Sequence, residues 1–225
     1  GINASLYKKL SFNFIRDIAP VAGLVRTPNV MVVTNKLPVK TVAEFIAYCK
    51  ANPSKVNMAS SSSGTSTHLS GELFKSLTGC NMVHIPYKGA GPVLTDLIGG
   101  QVQVFFDNLP SSAGHIKAGS IRALAVTSAA REPSFPDLPT VGDTVPGYEA
   151  TAWFGVGMPK GTPREAIEKM NSAINRALAD PKMRARLAEL GGSPIAGTPE
   201  DFGKVIVAET EKWAKVVASS GATVD

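Results

Sequence analysis

VNMASSSSGTSTHLSGELF, residues Val56 to Phe74, holds a short apolar run, four consecutive serines, a glycine, and then a helical stripe through Leu69, Leu73, Phe74 and Leu77. That order reads as a strand, a tight turn and a helix beginning near Thr65. The turn is unusually rich in small hydroxyls. A flexible linker, a phosphate loop, a serine nucleophile and a carboxylate cradle all use such residues, and the rest of the chain must choose among them.

Working outward, the same alternation recurs. Short apolar runs at Val21–Val25, Val30–Val33, Met82–Ile85, Val102–Phe106, Ile121–Val126 and Trp153–Gly157 predict further strands. Helices are expected between them. Thr41-Val-Ala-Glu44 is a capping box followed by a face of Val42, Phe45, Ile46 and Cys49. Another helix opens at Gly91-Pro92 and carries Val93, Leu94, Leu97 and Ile98 to Gly99-Gly100. Strands alternating with helices give an α/β fold with largely parallel sheets. Residues 131–147 hold Pro133, Pro136, Pro139 and Pro146 without periodicity and read as a long surface connection. Three helices follow, opened by Thr162-Pro163, Asp180-Pro181 and Thr198-Pro199. Their stripes, including Met170, Met183, Phe202, Ile206 and Trp213, are read as core, whereas Glu209, Glu211, Lys212 and Lys215 are read as a solvated face. The first twenty residues show no helix or strand pattern. The chain opens on Gly1 rather than Met, with no visible signal peptide, which leaves room for processing or truncation upstream.

Composition narrows the function classes. The 225 residues are 44% hydrophobic and 18% charged, enough for one large domain or two smaller ones. Twenty-three basic residues against eighteen acidic ones give a formal charge of +5, but the basic residues are scattered. Without a basic stripe or interleaved aromatics, nucleic-acid binding is disfavoured. A mildly positive surface suits small anions. Cys49 and Cys80 are the only cysteines, with no CxxC and no Cys/His cluster, so a structural zinc site is excluded. No apolar run is long enough for a membrane-spanning helix.

The serine-nucleophile reading needs G-x-S-x-G, and the first glycine is missing. The phosphate-loop reading needs G-x-x-x-x-G-K-[ST], and no lysine follows Gly64; no dinucleotide fingerprint is present either. His68 and Glu72, one helical turn apart, are an ordinary pair rather than a metal site. The cradle reading asks only for a helix start, whose unpaired N–H groups carry partial positive charge, with hydroxyls as extra donors and Gly64 for close approach. Capping by Thr65 alone would need a single hydroxyl. HIPYKGAGPVLTDL repeats the arrangement, with Lys88-Gly89-Ala90-Gly91 between strand and helix, and two such starts at the same sheet edge would converge on one crevice.

Four stretches, SSSSGTSTHLSGELF, HIPYKGAGPVLTDLIGGQVQVFFDNLPSS, GSIRALAVTSAAREPSFPDLPTV and WFGVGMPKGTPREAIEKMNSAINRALADP, together with the opening NASLYKKLSFNFIRDIAPV, resemble the substrate-binding proteins of tripartite tricarboxylate transporters, the Bug family. The resemblance runs in order along essentially the whole chain. It implies a two-lobed α/β periplasmic-binding-protein fold of type II, each lobe a sheet flanked by helices. Residues 1–29 plus 152–225 would form lobe 1 and residues 30–151 lobe 2. It further implies a periplasmic, monomeric receptor that closes on a small organic acid and hands it to the membrane components of the transporter, without catalysis, cofactor, metal, nucleic acid or membrane insertion. The rivals are the ligand-sensing domain of a transcription regulator, for which no helix-turn-helix is seen, and a small serine hydrolase. Members of the family carry a further segment ahead of the LY-x-x-L motif, including a proline-glycine-glycine loop, so lobe 1 is expected to be incomplete here. The family's first glycine in the serine turn is replaced by Ser62. Carried over by position, the ligand-binding residues are Ser61, Ser62, Ser63, Thr65 and Ser66 at the first helix start, Gly89, Ala90 and Gly91 at the second, Asp107 and Asn108 after the strand Val102–Phe106, and Trp153 as pocket wall or hinge core.

Overall fold

The computed structural model describes residues 11–220; the opening NASLYKKL motif lies outside that range. The described residues form two compact units. A central unit runs from Pro28 to Ala152, and a terminal unit combines the residues up to Thr27 with those from Trp153 onward.

Where two strands are expected at Val21–Val25 and Val30–Val33, there is one, β1 (Ile18–Val33), entered from a single turn of helix, α1 (Phe14–Asp17). The segment 14–20 is therefore structured, contrary to the patternless reading. β1 passes through Thr27 and Pro28 as extended chain. On one side of them Val25 and Arg26 pair with Pro194 and Ser193, and on the other pairing begins at Asn29 with Asn108, so proline's missing N–H costs none of these pairs a bond.

The central unit contains α2 (Val42–Ala51), β2 (Val56–Ser60), α3 (Ser66–Thr78), β3 (Met82–Pro86), α4 (Ala90–Gly99), β4 (Val104–Asn108), α5 (Leu109–Lys117) and β5 (Arg122–Val126). Its sheet order is β3-β2-β4-β1-β5. β2 runs parallel to β3 and β4, while β1 is antiparallel to β4 and β5. Side chains alternate across the strands and fill both faces. On one face Val30, Val32, Ala59 and Phe105 pack with Val93, Leu94 and Leu97 of α4 and Leu109 of α5. On the other, Phe106 meets Phe74 of α3 at 5.5 Å, and Phe74 meets Phe45 of α2 at 6.0 Å between ring centroids. Gly71 lets α3 sit down on β2: a Cβ there would stand 2.0 Å from Met58 Sδ. Leu77 and Ile98, read as inner residues, are exposed at the ends of their helices.

The proline-rich connection is anchored rather than superficial. Thr140 and Asp143 form a capping box around a short 3-10 turn, Val141–Asp143, which buries Val141; Val145 and Tyr148 follow it inward. The Tyr148 hydroxyl donates to Ser70 O at 3.0 Å. Thr127 then ties the unit's entrance to its exit: its N–H and its hydroxyl both donate to Asn29 O, and its own carbonyl accepts from Ala150 N–H at 2.9 Å.

In the terminal unit β6 (Thr151–Pro159) and β7 (Ser193–Pro194) pair with β1. Three helices accompany them: α6 (Arg164–Ala179), α7 (Pro181–Glu189) and α8 (Pro199–Ser220). Phe202, Ile206 and Trp213 of α8 are buried, as their stripe requires, but Met170 and Met183 are 42% and 43% exposed. Glu209 departs most from expectation. It is buried, not solvated, accepting from Arg26 at 3.1 Å and from the Trp213 indole N–H at 3.0 Å. Its position one turn before Trp213 on the inner stripe explains this.

Candidate functional site

Three strands of the central unit, β2, β3 and β4, run parallel and end at the same sheet edge, and a helix starts beyond each. These starts differ from others in the molecule. Thr41 caps α2 through Glu44 N–H, and Asp180 caps α7 through Lys182 and Met183 N–H. At α3, α4 and α5 no side chain caps the first turn and no acidic residue lies in it. Three helix N-termini thus face one edge with their amide dipoles neither capped nor neutralised by a first-turn acid.

The would-be caps are otherwise engaged. The Thr65 hydroxyl donates backward to Ser62 O at 2.7 Å and lies 2.8 Å from the Thr67 hydroxyl. Thr67, which sequence reasoning passed over, is the organiser of this turn. Its oxygen accepts from Ser61 N–H at 3.0 Å and meets Ser61 Oγ at 3.0 Å. Gly64, at φ 76°, completes a backbone path that a side chain would strain, and its N–H donates to His68 Nδ1 at 3.2 Å. Asn108, the N-cap of α5, turns its side-chain oxygen to accept from Ser66 Oγ at 3.3 Å, joining the α3 start to the end of β4. Gly89, at φ 106°, gives its N–H to Ser61 O at 2.7 Å, joining the α4 start to the serine turn. The Gly89 amide is therefore committed within the protein, and the helix itself begins at Ala90, ahead of the expected Gly91-Pro92. Ser62 and Gly91 are exposed; Ser61, Ser63, Thr65, Ser66, Gly89 and Ala90 are half-buried.

A layer of titratable groups lies beneath this turn. His68 and His84 stack at 3.8 Å between centroids, 11° from parallel. His84 Nε2 meets the buried Ser60 hydroxyl at 2.7 Å. Burial, and then the neighbouring His68, push the His84 imidazole down to about 4, so at neutral pH it is uncharged. His68 accepts at Nδ1, which leaves its proton on Nε2, 3.7 Å from Glu72 Oε1. Burial pushes the Glu72 carboxyl up, but the nearby His68 N–H and the Lys75 ammonium, which donates at 2.9 Å, outweigh it and hold the group below its ordinary value.

Asp107 is fully buried, and both its oxygens are used. Oδ1 accepts from Asn108 N–H at 2.8 Å and Oδ2 from Ser112 Oγ at 2.7 Å. Burial pushes its carboxyl up to about 6 against those two bonds. Its side chain shares the sheet face of Phe105 and Val30, so it braces the start of α5 from within. Asn29, opposite Asn108 in the register, is also fully buried. Its Nδ2 donates to Phe106 O at 2.9 Å, while its Oδ1 has no partner among the described residues. A polar residue opening the apolar run NVMVV was the signal for it. Trp153 belongs to the terminal unit, where it packs edge-on against Phe202 at 5.7 Å.

Among the described residues no group of three or more His, Cys, Asp or Glu side chains is placed to hold a metal ion, and no helix is long and apolar enough to cross a membrane. Ser60, which meets His84, is fully buried beneath the turn, so that hydroxyl is closed to a substrate.

Residues 2–222 match a family described as the tripartite tricarboxylate transporter family receptor. Protein BugT of Bordetella pertussis is 36% identical over 223 residues, 99% of this chain and 68% of its own. The chain spans about two thirds of the length of the curated relatives it matches. An R. palustris protein solved with adipate is 39% identical, with a TM-score of 0.95 over 99% of this chain and 75% of that one. MatC of Rhodopseudomonas palustris, solved with bound malate, is 29% identical, with a TM-score of 0.88 over 96% of this chain and 75% of that one.

Proposed function

This chain belongs to the tripartite tricarboxylate transporter receptor family, a family of binding proteins rather than enzymes, and from that premise we propose that it serves a periplasmic receptor for a small dicarboxylate. The observation that carries the reading is the set of three helix starts, α3, α4 and α5, left uncapped and free of first-turn acids at one sheet edge. An anion is the natural complement of that arrangement, and a carboxylate takes such N–H donors without any metal or catalytic group. The adipate and malate bound to the two similar structures support the ligand class.

In this reading Ser61, Ser62, Ser63, Thr65 and Ser66 supply hydroxyl donors at α3, Ala90 and Gly91 supply backbone amides at α4, and Asn108 supplies its side-chain Nδ2 at α5, its own N–H being held by Asp107. Gly89 and Asp107 shape the site without donating to the ligand. Ser62 adds a hydroxyl at the most exposed point of the turn. The central and terminal units would be the two lobes of the receptor, closing on the ligand, with Trp153 at the boundary. The membrane components of the transporter would then receive it. The test is calorimetric titration and thermal shift of the protein with adipate, malate, monocarboxylates, tricarboxylates and neutral analogues. Dicarboxylates are expected to raise the melting temperature, and the double variant Ser61→Ala/Ser66→Ala to weaken binding roughly 10- to 100-fold through loss of two hydrogen bonds. A neutral analogue binding as well as the acids would overturn the proposal.

A further inference from the structure

Cys49 and Cys80 lie far from the cradle, and the reading so far gives them no part. Both are buried, at 0% and 3% exposure. A ring contact and a pair of hydrogen bonds bring their surroundings together. The Phe45 and Phe74 rings clasp α2 to α3, and Cys49 follows one turn after Phe45 on the same buried stripe. Cys80 sits immediately after Gly79, the left-handed residue ending α3. The turn after α2 is laced to the residue beside Cys80: Ser54 N–H donates to Asn81 O at 3.3 Å, and Asn81 Nδ2 donates to Ser54 Oγ at 3.1 Å. Across this join the two thiols are electrostatic neighbours, each the largest influence on the other's ionisation. Among the described residues no group of three or more His, Cys, Asp or Glu makes this a metal site, and oxidising compartments favour disulfides over paired thiols.

We propose that Cys49 and Cys80 are the two halves of an intrachain disulfide, formed when the protein folds in an oxidising compartment, that staples the end of α2 to the turn between α3 and β3. The bond is within reach because the Phe45–Phe74 contact and the Ser54–Asn81 hydrogen bonds hold the two buried cysteines' segments together, and it crosslinks two points joined by a complete βα unit, so it removes chain entropy from the unfolded state. The chemistry needs a disulfide oxidant, for which oxidised glutathione is the probe. The Cys80 thiolate attacks one glutathione sulfur, the glutathione S–S bond breaks, and one glutathione thiolate leaves. The Cys49 thiolate then attacks Cys80 Sγ and expels the second. Two electrons pass to glutathione, and both thiol protons go to solvent. Cys80 is suited to the first step: the neighbouring Cys49 thiol lowers its own thiol to about 7, whereas Cys80, together with burial, pushes Cys49 up. Because both sulfurs are buried, the exchange accompanies folding or local opening.

The experiment is refolding in a glutathione redox buffer, followed by denaturation, trapping with N-ethylmaleimide and mass spectrometry. The expected product carries no maleimide, is lighter than the reduced chain by two hydrogens, and takes two maleimides after reduction, with the crosslinked peptide joining residues 49 and 80. Cys49→Ala is expected to leave Cys80 as a glutathione adduct or a single maleimide adduct, counted in denaturant whether or not the variant folds. In urea the oxidised protein is expected to show an unfolding constant roughly a hundredfold smaller than the reduced one. Two maleimides without reduction, or stable glutathione on both cysteines, would overturn the proposal. None of these readouts depends on ligand, so a failure here and a failure of carboxylate binding are separate results.

Discussion

At the scale of single residues, Asp107 and His84 are the two groups whose ionisation the fold opposes most clearly around the cradle, and they oppose it in opposite directions. Asp107 titrates near 6 in the folded chain and lower when unfolded, so its contribution is present in acid and is lost as pH rises through 6. His84 titrates near 4 folded and higher unfolded, so its contribution is present at neutral pH and is lost as pH falls from the ordinary histidine range towards 4. Between about pH 4 and 6 the two slopes offset each other. Asp107→Asn keeps the acceptor for Asn108 N–H and offers Ser112 a donor in place of an acceptor. It is expected to raise stability at pH 8 by about 1–3 kcal/mol. The same variant exposes the His84 slope, losing about 2 kcal/mol between pH 6.5 and 4 where the wild type changes less. Urea denaturation from pH 4 to 8 measures both; a variant no more stable at pH 8 would mean that Asp107 is better solvated than its burial indicates.

At the scale of elements, the α3 start and its seat on β2 can be tested separately. Gly71→Ala adds a methyl where Met58 Sδ stands, and is expected to cost about 1–3 kcal/mol despite alanine's better helix propensity. Gly89→Ala strains a backbone at φ 106° in open space, so its cost falls on the α4 start, and carboxylate affinity is expected to fall more than stability. Much of this element structure was legible. The N-cap at Thr41, the left-handed glycines Gly79 and Gly100 and the serine turn all stand where pattern and propensity put them, although Glu44 completes no capping box and accepts instead from Lys40 N–H. The legible part of the cradle was local as well: SGTSTHLSG, GAGPVLT and NLPSSAG each lack an acid in the first turn. What could not be read was contact at a distance. LPSSAGHIK has no apolar stripe to announce α5. The Asn108–Ser66 and Gly89–Ser61 bonds join segments far apart in sequence, and the engagement of Asp107 by Ser112 depends on how α5 leaves β4.

At the scale of the whole molecule, the two units are stabilised differently. The central unit has a sheet covered on both faces, whereas the terminal unit relies on α8 and on one buried carboxylate. Glu209→Ala removes the acceptor shared by Arg26 and the Trp213 indole. It is expected to cost about 3 kcal/mol, seen as earlier loss of tryptophan fluorescence in urea, since both tryptophans belong to that unit. Glu209→Gln should recover part of the loss. The sequence misread this residue because charge alone suggested water, while its place on the inner stripe required a partner.

Thr127 holds Asn29 and Ala150 together, so the chain enters and leaves the central unit at one knot. A module whose two threads emerge side by side can be cut free and transplanted. Residues 28–152 form a continuous cassette that could be expressed by itself, opened at the Arg131–Pro139 loop with its ends rejoined, or spliced into a surface loop of another protein, carrying three bare helix starts with it.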